Sequence, residues 1–350
     1  MSLKAPFPYF GGKRSVAADV WARFGQPKHY IEPFCGSAAM LLAAPSPPSL
    51  EVVCDRNGFI ANFWRAVKHQ PGEVARAADY PVSHIDQGAR HPWLMEQRDR
   101  LAASLQDPEW PGDAQVAGWW LWGQCSWIGS GWCDWDRQGQ VPHIGDAGRG
   151  IQAAGKVPHI SDAGRGIQAA GQVPHIGNAG RGIQAAGKVP HISNAGRGIQ
   201  AAGKVPHIGD AGLLTSGGRA AWEWLHKIAA RLDRVRIVHG DWHRCLNSHY
   251  GKTATAVFLD PPYRAYEALY GAKSPVADEV EAWARDNPRL RIAICGHAGD
   301  YNLPGWDAVQ WSRAGNTYGS DKTKDAECIW YSPGCLPAVS HDLFRQPEVA

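Results

Sequence analysis

Val257-Phe258-Leu259-Asp260-Pro261-Pro262-Tyr263 reads as an apolar strand that runs into Asp-Pro-Pro-Tyr. Ligands of open α/β sheets sit beyond the carboxyl ends of the strands, so the tetrapeptide falls at the expected crevice. Two consecutive prolines fix the backbone and supply no amide donor, which leaves carbonyl acceptors in a rigid loop beside a carboxylate and an aromatic ring. That set suits a planar base bearing an exocyclic amine. Asp260 and the Pro261 carbonyl can each accept one amine hydrogen, and Tyr263 can stack on the base, a contact worth ~1–3 kcal/mol. Taken alone, the same string is equally an ordinary strand-ending turn.

Outward from this strand, His29–Glu32 and Glu51–Asp55 read as short strands that lead into Gly- or Asn-bearing turns. Ala221, Leu225, Ile228, Ala229 and Leu232 recur at helical spacing, followed by apolar Val235–His239 and, later, Arg291–Cys295. Strands and helices interleave at both ends of the chain. The expected fold is α/β, Rossmann-like, with a doubly wound, mostly parallel sheet interrupted by residues 70–213.

Composition agrees with a globular protein. Of 350 residues 44% are hydrophobic and 20% charged, which argues against a disordered, collagen-like or membrane-spanning chain. No stretch reaches the ~18 apolar residues of a spanning helix, and Met1–Phe10 holds one Lys and no apolar run of signal-peptide length. A soluble, cytoplasmic protein is the expectation. The eight cysteines never form a C-x-x-C pair, and reduced, buried thiols follow.

The string VPHI recurs at Val141, Val157, Val173, Val189 and Val205, a period of 16 residues, so residues 141–212 form an array. Its seven basic residues face only three acidic ones, although the whole chain carries just +3. Arg149, Arg165, Arg181 and Arg197 recur once per unit and suit phosphate contacts; a solvated linker made by duplication is the competing reading. The repeat histidines lack recurring Cys or acidic partners at ligand spacing, which weighs against a metal site. Upstream, Trp119–Trp135 holds six of the 17 tryptophans and reads as core or as a stacking platform.

Two further strings carry chemistry. Ile31-Glu32-Pro33-Phe34-Cys35-Gly36-Ser37-Ala38 follows a strand and opens a helix, where a turn of small residues lets a cofactor approach the backbone. About 20 residues later, Val52-Val53-Cys54-Asp55 ends a second strand in a carboxylate, the position that holds ribose hydroxyls in nucleotide-binding folds.

Together with Pro8-Tyr9-Phe10-Gly11-Gly12-Lys13, these strings in this order resemble the Dam-like, alpha-group N6-adenine DNA methyltransferases of phages and prophages. The resemblance covers both ends of the chain and the Trp-rich centre. It implies a class I methyltransferase domain of residues 1–69 and 214–350, and an inserted target-recognition domain of residues 70–213 that contains the array. It also implies S-adenosylmethionine as cofactor, double-stranded DNA as partner, and no metal, membrane or obligatory protein partner. Tyr9, Gly12 and Lys13 would contact the cofactor, Lys13 through its carboxylate. Glu32, Phe34 and Gly36 would line its loop, Asp55 would bind the ribose, and Asp241 in His239-Gly240-Asp241-Trp242 would meet the adenine. Asp260, with Pro261, Pro262 and Tyr263, would lie between cofactor and target amine. Ala38 departs from the glycine often found in that loop.

The chemistry so implied is methyl transfer to the N6 amine of a flipped-out adenine. Acceptors at Asp260 and Pro261 favour the tetrahedral nitrogen of the attacking amine, and stacking on Tyr263 offsets unstacking of the base. Cytosine-N4 methylation uses the same amine geometry, and Asp at the start of the tetrapeptide favours adenine by resemblance. An inactive, sequence-specific DNA-binding protein is the alternative from another class; a protein- or RNA-modifying enzyme is a third.

Overall fold

The computed structural model of the chain describes residues 3–9, 12–127, 132–133, 135, 216–246, 254–263, 276–311 and 327–338. Its strands are β1 His29–Glu32, β2 Leu50–Asp55, β3 Val235–His239, β4 Thr255–Leu259, β5 Arg291–His297, β6 Asp307–Trp311 and β7 Glu327–Tyr331. They form one sheet of order β3-β2-β1-β4-β5-β7-β6. The pairs β1/β2, β1/β4 and β4/β5 are parallel, whereas β7 runs antiparallel to both β5 and β6. The expected mixed α/β fold with a mostly parallel sheet is the one observed.

Burial explains the sequence pattern of the strands. All five residues of β4 are buried, and a strand covered on both faces reads as a continuous apolar run without alternation. β6 is the opposite case, an edge strand with four exposed residues and no apolar face to betray it in the sequence. Strand order reverses between β1 and β4, with His29 paired to Thr255 and Ile31 to Val257. Both strands therefore run in step toward Glu32 and Asp260, and the switch point of an open α/β sheet is where ligands bind.

The chain divides into two compact units, one of residues 3–12 and 54–241 and the other of residues 13–53 and 242–350. The first holds β3 and helices α3 Gly58–His69, α4 Pro71–Ala78, α5 His84–Glu96, α6 Arg98–Ser104, α7 Ala114–Ser126 and α8 Ser216–Leu232. The helix starts follow capping chemistry: Asn57 Oδ1 accepts from Phe59 N at 2.9 Å, Ser83 Oγ from Asp86 N at 3.1 Å and Asp113 Oδ1 from Val116 N at 3.0 Å. Pro71 opens α4, where a missing amide costs nothing. Asn62 and Asp113 exchange two hydrogen bonds, Asn62 Nδ2 to Asp113 O at 3.1 Å and Asp113 N to Asn62 Oδ1 at 2.7 Å, which tie α3 to the start of α7.

α7 is apolar on nearly every side because it is buried on nearly every side, packed on α3, α4 and α5. Gly118 lets it approach α4, since a Cβ there would collide with Ala77 and the Val74 carbonyl. Trp120 and Trp122 are fully buried, Trp120 meets the Phe7 ring edge-on at 5.0 Å, and Trp132 Nε1 donates to Trp120 O at 3.1 Å. The tryptophan stretch is thus core in its described part. Cys125 and Cys133 pack with it, and burial pushes both thiols up.

The second unit holds α1 Ala17–Phe24, β1, α2 Ala39–Leu42, most of β2, β4, α9 Val276–Asp286, β5, β6 and β7. Arg23 ties α1 to the edge strand, with Nη1 2.7 Å from Asp307 Oδ2 and the guanidinium 4.4 Å from the Tyr331 ring centroid. Among the described residues no helix is long and apolar enough to cross a membrane. The array of residues 141–212 lies outside the described residues, and with it Arg149, Arg165, Arg181 and Arg197.

Candidate active site

In the second unit the strand order brings Glu32 and Asp260 to the carboxyl ends of neighbouring parallel strands. Glu32 is buried; its Oε2 accepts from the Tyr30 hydroxyl at 3.0 Å and from Leu41 N at 3.2 Å, which joins the end of β1 to α2. Burial outweighs these bonds and pushes its carboxyl up to about 8, with Asp260 and Glu51 adding to the push.

Lys13 closes on Asp260. It precedes the 3-10 turn Arg14–Val16, is 3% exposed, and sets its Nζ 3.0 Å from Asp260 Oδ1 and 3.7 Å from Glu327 Oε2. Burial alone would lower the lysine, but Asp260, Cys295 and Glu327 reverse this and hold it above its ordinary value. Burial likewise pushes Asp260 up, and the Lys13 ammonium opposes that push. The same ammonium lies 5.1 Å from the Tyr263 ring centroid, and His297 meets that ring edge-on at 4.7 Å. Burial and the surrounding carboxylates push the Tyr263 phenol well up, so it stays neutral. The Asp-Pro-Pro-Tyr turn therefore presents one acidic and one aromatic group, both held by a buried cation.

The loop between β1 and α2 is a tight turn of left-handed residues. Gly36 has φ 45°, and Ala38, the residue that departs from glycine, has φ 50° and ψ 33° and caps α2. An L-residue with a Cβ in this region carries about 1–2 kcal/mol of strain. Phe34 stacks on Trp242 at 6.0 Å with an interplanar angle of 27°. The Trp242 indole N–H is buried and has no hydrogen-bond partner among the described residues.

The first unit carries the rest of the expected residues. Asp55, at the end of β2, accepts from Asn57 N through Oδ1 at 2.8 Å, and its carbonyl accepts from Gly240 N at 3.0 Å. Cys54 Sγ donates to the carbonyls of Gly240 and Asp241 at 3.5 and 3.7 Å, so Asp55 and Asp241 are brought together by backbone. Gly240, with φ 126°, makes the turn from β3 into Asp241. Tyr9 is 40% exposed beside Phe7, and Gly12 N donates to Tyr9 O at 3.3 Å.

Three residues of the cluster have no role in the sequence reading: Glu327, His297 and Trp242. The carboxyl-end rule could have found His297, at the end of the strand next to β4. Trp242 closes the His239–Trp242 string, whereas Glu327 falls on no motif that the sequence offers.

No curated protein matches the chain in sequence. Residues 9–97, which include Tyr9, Lys13, Glu32 and Asp55 and end before the Asp-Pro-Pro-Tyr turn, match the model of the D12 class N6 adenine-specific DNA methyltransferase family.

Proposed function

We propose that this enzyme methylates the N6 amine of an adenine flipped out of duplex DNA, with S-adenosylmethionine as methyl donor. The observation that carries the reading is the Lys13–Asp260 pair at the carboxyl end of β4, beside the end of β1. Residues of the chain fit the cofactor: the left-handed turn at Gly36 opens backbone to a ligand, and the unpartnered Trp242 N–H offers it a donor. Tyr9, Gly12, Lys13, Glu32, Phe34, Gly36, Asp55 and Asp241 would hold it. When bound it supplies an electrophilic methyl group.

The chain supplies orientation and charge. The Asp260 carboxylate and the Pro261 carbonyl accept the two amine hydrogens, which draws the amine lone pair out of conjugation and toward the methyl carbon. Lys13 opposes the push of burial on Asp260 and so favours the ionised carboxylate, which accepts and does not donate. Pro261 and Pro262 stiffen the turn, and Tyr263, its plane fixed by Lys13 and His297, offers the stacking face that offsets a few kcal/mol of unstacking. Residues 70–213 would recognise the target, with Arg149, Arg165, Arg181 and Arg197 on phosphates, in the cytoplasm where the DNA is.

Nucleoside mass spectrometry on DNA from a methylation-deficient host tests the reading. N6-methyladenine in the presence of the parent chain and its absence with Asp260→Ala is the expected result. Methylcytosine, or full activity in Asp260→Ala, overturns it.

A further inference from the structure

One carboxylate of the Lys13 cluster has no task in the chemistry above. Glu327 opens β7, in register with His297 of β5 and Trp311 of β6, and reaches the ammonium of a residue far away in the sequence. Its Oε2 is buried and accepts no hydrogen bond from any described residue, so its link to Lys13 at 3.7 Å is an ion pair. A lysine head on a flexible four-carbon stem is poorly fixed by one partner. Here two carboxylates, one after β4 and one on β7, hold the same ammonium above the Tyr263 ring.

We propose that Glu327 is a positioning residue for methyl transfer, anchoring the Lys13 ammonium from β7 so that it stays against Asp260 and over Tyr263. The inference rests on the reading of Asp260 as the acceptor of the target amine. It assigns the edge half of the sheet a part in the chemistry.

The charges around the pair fix the sign of the effect. Lys13 faces Asp260, Cys295 and Glu327, with the Tyr263 ring beneath it; Asp260 faces Lys13, Glu327, Tyr263 and Glu32. The Glu327 charge holds Lys13 protonated and at the same time resists ionisation of Asp260. Its removal therefore lowers the titration of both groups.

Two measurements on the full chain test this, with Glu327→Gln and Glu327→Asp. In the cofactor-free protein, ¹³Cε-lysine NMR should show Lys13 titrating about one pH unit lower in Glu327→Gln. In the loaded enzyme both limbs of the kcat–pH profile should move to lower pH, kcat should fall with the KM for DNA unchanged, and Glu327→Asp should restore the parent limbs. An unmoved Lys13 titration overturns the proposal, as does a fall in melting temperature with the limbs in place. Failure of the amine-acceptor reading shows separately, as methylation that survives Asp260→Ala.

Discussion

Lys13 Nζ stands 3.0 Å from Asp260 Oδ1, and the lysine that makes this bond is almost wholly removed from water. A buried carboxylate would otherwise gain a proton, and a protonated Asp260 would offer the target amine a donor where an acceptor is needed. On the proposed reading, the pair readies the Asp-Pro-Pro-Tyr turn for an amine.

Lys13→Met should therefore move activity along the pH axis. Without the ammonium, the main opponent of burial is gone and Asp260 rises further, so the acidic limb of the kcat–pH profile should move to higher pH. Activity at neutral pH should then fall about tenfold for every pH unit by which that limb passes neutrality. A full pH–rate profile with N6-methyladenine as the readout checks it. An unmoved limb would show that Lys13 does not govern Asp260.

Glu32 should make stability pH-dependent in a definite direction. Its folded value of about 8 lies above the ordinary 4.5, so the folded state binds the proton more tightly; this contribution is fully present below 4.5 and lost as pH rises through about 8. Melting temperatures across that window should decline in the parent and decline less in Glu32→Gln. Identical slopes would remove Glu32 as the cause.

Ala38→Gly should stabilise the chain by about 1 kcal/mol, because a residue at φ 50° loses its Cβ strain, partly offset by the freedom glycine gains when unfolded. Ala38→Val should destabilise by more. Urea titration of the three proteins checks the order.

Trp120→Ala should cost about 3–5 kcal/mol of stability, as expected for a large aromatic with no exposure that packs on Phe7 and Phe63. DNA affinity measured below the melting transition should hold. A loss of affinity with stability intact would restore the stacking-platform reading.

Replacing Arg149, Arg165, Arg181 and Arg197 by Gln should flatten the dependence of DNA affinity on salt, by a slope of about 0.9 for each phosphate contact removed. Deleting residues 157–188, two whole units, should flatten it as well. An unchanged slope in both would leave the array as a spacer.

Legibility in the sequence follows burial. His29–Glu32 and Val235–His239 read with their observed bounds, and β4 begins one residue before the apolar run Ala256–Leu259. β1 and β4 are buried nearly throughout and β3 at alternate residues, and burial writes itself into composition. β6 escapes a sequence reading because a strand exposed along its length has no apolar signature, whereas β7, though mostly buried, is a short run on which no motif falls. The tryptophan density announces an aromatic mass but not its surroundings; helices α3, α4 and α5 around α7 decide for core. Lys13 and Asp260 are each legible from motifs, yet their bond is not, since nothing local couples the two positions.

The pairing of Ile31 with Val257 has a consequence for the order of synthesis. β1 leaves the ribosome early, but its neighbour across the switch point emerges only after the helices of the first unit and the whole array have been made. The nascent chain thus carries residues 9–97 complete while still lacking Asp260 and the turn that follows it. On the proposed reading, competence arrives late and all at once, so a chain cut short by degradation or stalled translation leaves no partially active enzyme to mark the genome at random.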